Sequence, residues 1–124
     1  MTKKAATRTS PNEDWRRYVN FLECLRQLEL KPNSPKLEVD EQVIFNALAV
    51  LWSQGEPVTV LQAMKLPVGM SPTTIHRKLK SLRKKGVIGL EEQEADNRIK
   101  HVVPTDLARG YLVELNRCVV VARK

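Results

Sequence analysis

A chain of 124 residues has room for a single modest core, and 42% hydrophobic with 28% charged residues fits a soluble globular protein. No apolar run approaches the ~18 residues of a membrane span, and the basic residues 1–13 lack the apolar stretch of a secretion signal. A cytoplasmic protein with no membrane partner is expected. The formal net charge of +7 is uneven: residues 1–62 hold eight Lys/Arg against eight Asp/Glu, residues 63–124 thirteen against six. Six of those thirteen (Arg77, Lys78, Lys80, Arg83, Lys84 and Lys85) fall in residues 71–85, which contain no acid. A one-signed cluster on one element is the footprint of a polyanion partner.

Residues 1–9, with Lys3, Lys4 and Arg8, read as a flexible basic arm. Residues 10–124 read as one domain. Ser10-Pro11-Asn12-Glu13 has the form of a helix start, with a cap, a first-turn proline and a Glu three residues on. The periodicity predicts a helix to about Leu30, with Trp15, Val19, Leu22 and Leu25 as its apolar stripe. Lys31-Pro32-Asn33-Ser34-Pro35 stops it. Asp40 is the expected cap of a second helix reaching about Gln54, apolar enough (Val43, Ile44, Ala47, Leu48, Leu51, Trp52) to be the central core element.

Pro57-Val58 fits a very short strand. Thr59 caps a two-turn helix over residues 60–66, with Leu61 and Met64 expected inward, and Gly69 sits in the turn that follows. Ser71 caps the next helix, Pro72 takes its first position, and Gly86 ends it after Lys85. Ile75, Leu79 and Leu82 anchor that helix. Residues 87–93 read as a strand, Glu94-Ala95-Asp96-Asn97 as a turn and residues 98–103 as the return strand. Pro104 ends the strand and Thr105 caps a last helix with Leu107, Ala108, Tyr111, Leu112, Leu115 and Cys118 as its stripe. Cys24 and Cys118, far apart and in no CxxC spacing, read as separate buried thiols.

The expected fold is therefore mainly α with a small β-hairpin wing: a winged helix-turn-helix with about five helices. At 100° per residue, the face opposite Ile75 holds Thr73, Arg77, Lys80 and Lys84, with Thr74 and Ser81 beside it. Ser71, Thr73 and Thr74 are small enough to let the helix approach base edges, and Arg77 can present a fork to guanine. Lys80 and Lys84 reach phosphates. On the hairpin, Arg98 and Lys100 stand beside the turn, where an Arg has the length to enter a minor groove; a cross-strand pair with Glu91 or Glu92 is its alternative.

The run Ser71-Pro72-Thr73-Thr74-Ile75 through Lys84-Lys85-Gly86-Val87-Ile88 resembles the MarR family of bacterial regulators. So does the wing, with Asp96-Asn97-Arg98 in place of that family's Asp-x-Arg, followed by Pro104-Thr105-Asp106-Leu107-Ala108-Arg109-Gly110. The likeness covers about residues 40–115. It implies a homodimer on double-stranded DNA, with Thr73, Thr74 and Arg77 reading bases and Arg98 in the minor groove. Such proteins dimerise through a long N-terminal helix and one or two helices after the wing; here one follows it. The family's small-molecule pocket lies between the dimerisation and DNA-binding parts, so an effector is left open, and a shortened relative that regulates without one fits. Tyr18, Phe21 and Leu28, with Cys118-Val119-Val120-Val121, are the expected dimer surfaces.

His76 and His101 have no partner at metal-ligand spacing, and there is no phosphate loop or nucleophile motif. No catalytic residue, metal or cofactor is expected, and the chain does not read as an enzyme. Two alternatives remain on the same scaffold: a DNA-binding protein of plasmid or phage replication or partition, and a protein–protein interaction module.

Overall fold

The structure, a computed structural model, describes residues 14–93 and 95–123. Among them are five helices and one hairpin: α1 (Arg16–Glu29), α2 (Val39–Ser53), α3 (Val60–Met64), α4 (Pro72–Lys84), β1 (Ile88–Gln93), β2 (Asp96–Pro104) and α5 (Asp106–Ala122). They divide into two compact units, Pro35–Leu112 and a second that joins the residues up to Ser34 with those from Val113 onward. No described helix is long and apolar enough to cross a membrane.

The larger unit forms around α2. Ile44, Phe45 and Leu48 are wholly buried, and Val58, Ala63, Ile75, Leu79, Leu82, Val87, Ile88, Val102 and Ala108 close the core around them. Each large aliphatic or aromatic side chain so buried contributes about 1.5–3 kcal/mol. Phe45 meets the edge of Trp52, ring centroids 5.9 Å apart, and lies 5.7 Å from Tyr111. Val43 and Val50 stay largely exposed, so the apolar face of α2 is narrower than its composition implies.

Local chemistry sets the element ends. The cap of α2 lies two residues before the expected one: it is Glu38, not Asp40, because the Glu38 amide donates to the Glu41 carboxylate at 2.7 Å and closes the first turn there. Thr59 caps α3 by accepting from the Gln62 amide. In α3 the inward residues are Ala63, with Val60 and Met64 partly buried; Leu61, expected inside, is exposed, since a one-turn helix buries only its i, i+3, i+4 face. Ser71 caps α4 with Pro72 behind it. Beyond Lys85, Gly86 takes φ +84°, and the Gly86 and Val87 amides donate to the Arg83 and Leu82 carbonyls, so the helix stops where only glycine turns easily.

The hairpin is antiparallel, in register from Ile88 opposite Pro104 to Glu92 opposite Lys100, with an irregularity between Glu92 and Gln93. The return strand starts at Asp96, earlier than expected. Glu94 and the side chains of residues 93, 96 and 97 lie outside the described parts. The short strand expected at Pro57-Val58 is a single bridge between Thr59 and His101, beside a bond from the Val102 amide to the Val58 carbonyl. At the wing's base the Thr105 hydroxyl donates to the Gly86 carbonyl and accepts from the Ala108 amide, capping α5 as expected.

In the smaller unit, Cys24 and Cys118 are joined by a disulfide, with Cα atoms 5.5 Å apart across 94 residues of sequence. This corrects the expectation of two separate thiols, because spacing along the chain carries no information on which helices pair. Glu114 accepts from Arg117 at 3.0 Å and Lys31 at 3.4 Å. Helix α1 also differs. The start expected at residues 10–13 lies outside the described residues; Asp14 and Trp15 form a turn and the helix begins at Arg16. Trp15, expected on the apolar stripe, is half exposed, and Val19 and Leu22 of the same stripe are exposed too, whereas Leu28 is buried and offers no surface for association.

Candidate nucleic-acid interface

Helix α4 sorts its side chains into three strips. Ile75, Leu79 and Leu82 are buried in the core. On one flank, Lys78 pairs with Glu38 at 3.3 Å, the Ser81 hydroxyl donates to Glu41, and the Lys85 ammonium donates to Glu41 at 2.5 Å and to the Lys36 carbonyl at 2.8 Å. Ser81 is thus turned to α2, not to the exposed face beside Thr74 where the helical wheel put it. On the outer strip Thr73, Arg77, Lys80, Arg83 and Lys84 are exposed. None of these four cations has an ion pair among the described residues.

Glu41 is wholly buried. Burial pushes its carboxyl pKa up, but hydrogen bonds from Lys85, Ser81 and the Glu38 amide, with the Lys85 charge, outweigh burial and hold it below the ordinary 4.5. It is therefore a charged group inside the fold, satisfied on three sides.

At the start of α4 the Ser71 hydroxyl accepts from the Thr74 amide at 3.1 Å and donates to the Thr74 hydroxyl at 3.0 Å. Ser71 is thus engaged as a cap. Thr73 is exposed and Thr74 half-buried one turn ahead of Arg77. Between α3, α4 and the wing runs a groove of about 460 Å³, lined by Thr59, Val60, Leu61, His76, Leu90, Arg98, Ile99 and Lys100. Lys80 and Arg83 edge a smaller hollow against Ile88 and Leu90 of β1. The structure thus brings Arg98 and Lys100 to one groove with His76, and leaves Thr73, Thr74, Arg77 and Lys84 outside its lining. Across the strands, Lys100 pairs with Glu92 at 2.9 Å.

Sequence alone counts Lys78, Arg83 and Lys85 in the basic cluster but gives none of them a contact, and it does not foresee that Lys78, Ser81 and Lys85 form a flank held by α2. A signal was present: their 3- and 4-residue spacing puts the flank on one edge of α4, and α2 opens with three acids, Glu38, Asp40 and Glu41.

No family model and no curated protein matches the chain. Solved structures do. The Thermotoga maritima transcriptional regulator Tm0710 aligns with a TM-score of 0.59 at 18% identity, over 85% of this chain and 66% of that one. Bacillus subtilis YusO aligns at 0.52 and 18%, over 86% and 69%. Reduced AbfR bound to DNA aligns at 0.52 and 17%, over 83% and 68%. The chain has a winged helix-turn-helix fold, shared with these regulators. It spans about two thirds of the length of these neighbours.

Proposed function

We propose that the protein is a sequence-specific regulator of transcription that binds double-stranded DNA with α4 in the major groove and the hairpin at the adjacent minor groove. The observation that carries this reading is the outer strip of α4, where Arg77, Lys80, Arg83 and Lys84 stand exposed on a winged-helix scaffold without ion pairs among the described residues. Four unpaired like charges on one helix repel one another, and a phosphate backbone relieves that repulsion. Thr73, Thr74 and Arg77 then face base edges, with Ser71 holding the helix start in shape. Lys80, Arg83 and Lys84 meet phosphates, and Arg98 and Lys100 extend from the wing. Lys100 can leave Glu92 for a phosphate at little cost, since exposed pairs are worth only about 0–1 kcal/mol. Transcriptional regulators with this fold, one of them bound to DNA, support the reading. In this reading the protein works in the cytoplasm.

The working form in this reading is a two-fold dimer, which sets two reading helices about 34–36 Å apart on one face of the duplex. Tyr18, Val19 and Leu22 on α1 and Val113, Val119, Val120 and Val121 on α5 are the exposed apolar side chains available for it. Selection of bound sequences from a random duplex pool tests both points, and a palindromic consensus is expected. A pool that yields no enrichment, with affinity for duplex DNA insensitive to salt, overturns the DNA reading in favour of a protein-only module.

A further inference from the structure

We propose that Glu41 is a positioning residue for the reading helix: from inside the core it fixes the roll of α4, and so decides which cations of that helix face DNA. The inference rests on the DNA-binding reading above. Its basis is one wholly buried carboxylate that holds two residues of α4, Ser81 and Lys85, four apart on the same edge. Lys78, three residues before Ser81, continues that edge and pairs with Glu38. Three directional attachments along one edge therefore tie α4 to the start of α2.

The apolar anchor of α4 does not do this alone. Ile75, Leu79 and Leu82 form a narrow stripe, and packing of aliphatic groups is tolerant of small rotations where hydrogen bonds are not. A roll of about 20° carries a guanidinium lying about 8 Å from the helix axis through about 3 Å. That is enough to break a two-bond contact from Arg77 to a guanine edge, while a lysine on a phosphate simply follows by changing rotamer. A loosened roll should therefore damage sequence discrimination and spare non-specific affinity. A buried ion pair adds little net stability against an apolar replacement of similar volume, so conformational definition is the role left for it.

The test compares wild type with Glu41→Met, Glu41→Gln and Ser81→Ala, each checked for folding by circular dichroism. Affinities are measured for the duplex selected from the random pool and for a scrambled duplex of the same length. Wild type is expected to prefer the selected duplex strongly. Glu41→Met should lose at least about tenfold of that preference with scrambled-duplex affinity held within about twofold. Glu41→Gln, which keeps the shape and one acceptor, should recover part of it, and Ser81→Ala should lose about threefold. If Glu41→Met does not fold, Ser81→Ala decides the matter, because it leaves Lys85 and the Glu38 amide on the carboxylate. Folded variants that keep the full preference overturn the positioning role alone; a wild type with no preference overturns the DNA reading and the proposal with it.

Discussion

The Trp52 indole N–H donates to the Val102 carbonyl at 3.0 Å, so the central core helix holds the return strand of the wing by a side chain. On the same residue the Val102 amide donates to Val58, and its side chain is buried. The wing is therefore fastened at its base by groups that point away from its partner strand. Trp52→Phe keeps the aromatic contact with Phe45 but leaves the Val102 carbonyl without that donor. A loss of about 1–3 kcal/mol is expected, read from urea unfolding. An unchanged midpoint would show that water replaces the indole there.

Arg77 and Lys84 should behave differently although both are exposed on the outer strip of α4. Arg77→Ala is expected to cost about 1–3 kcal/mol on the selected duplex and little on random DNA. Lys84→Ala should weaken both alike and lower the slope of log affinity against log salt by about 0.9. Lys78→Ala, whose ammonium is held by Glu38, should leave that slope where it is. Equal losses for Arg77→Ala on both duplexes would make it a phosphate contact.

Acid should act on the fold through Glu41. Its folded-state pKa is depressed below the ordinary 4.5, so the stability it contributes is complete above that value and is lost as pH falls through the folded pKa. Glu114 is shifted the same way by Arg117 and Lys31, but it faces solvent and its share is slight. Urea midpoints of wild type should therefore fall more steeply than those of Glu41→Gln as pH drops below the ordinary 4.5. Parallel curves for the two proteins would assign the acid sensitivity to other groups.

The bond between Cys24 and Cys118 closes a 94-residue span. Cys24→Ser, or reductant, is expected to remove about 2–4 kcal/mol of stability by freeing the unfolded chain. Mass measured after thiol alkylation of protein purified without reductant checks the premise: two labelled cysteines would mean that the bond is absent.

Much of this was legible in the chain itself. The caps Thr59, Ser71 and Thr105, the stop at Gly86 and the stripe Ile75, Leu79, Leu82 are local patterns, carried by residues within one or two turns of each other, and they determine a short helix, a basic helix and a wing in that order. The exposed cations Arg77, Lys80 and Lys84 followed from helical period alone. What only the tertiary structure decided were pairings between elements. Cys24 meets Cys118 because of how α1 and α5 pair, and Trp15 lies half in solvent although its stripe looked like core. Glu38 and Glu41 take Lys78, Ser81 and Lys85 out of the basic face from about forty residues away. A helical wheel gives the angle at which a side chain leaves its own axis; what stands at that angle is set by the packing of other elements, which no local periodicity encodes.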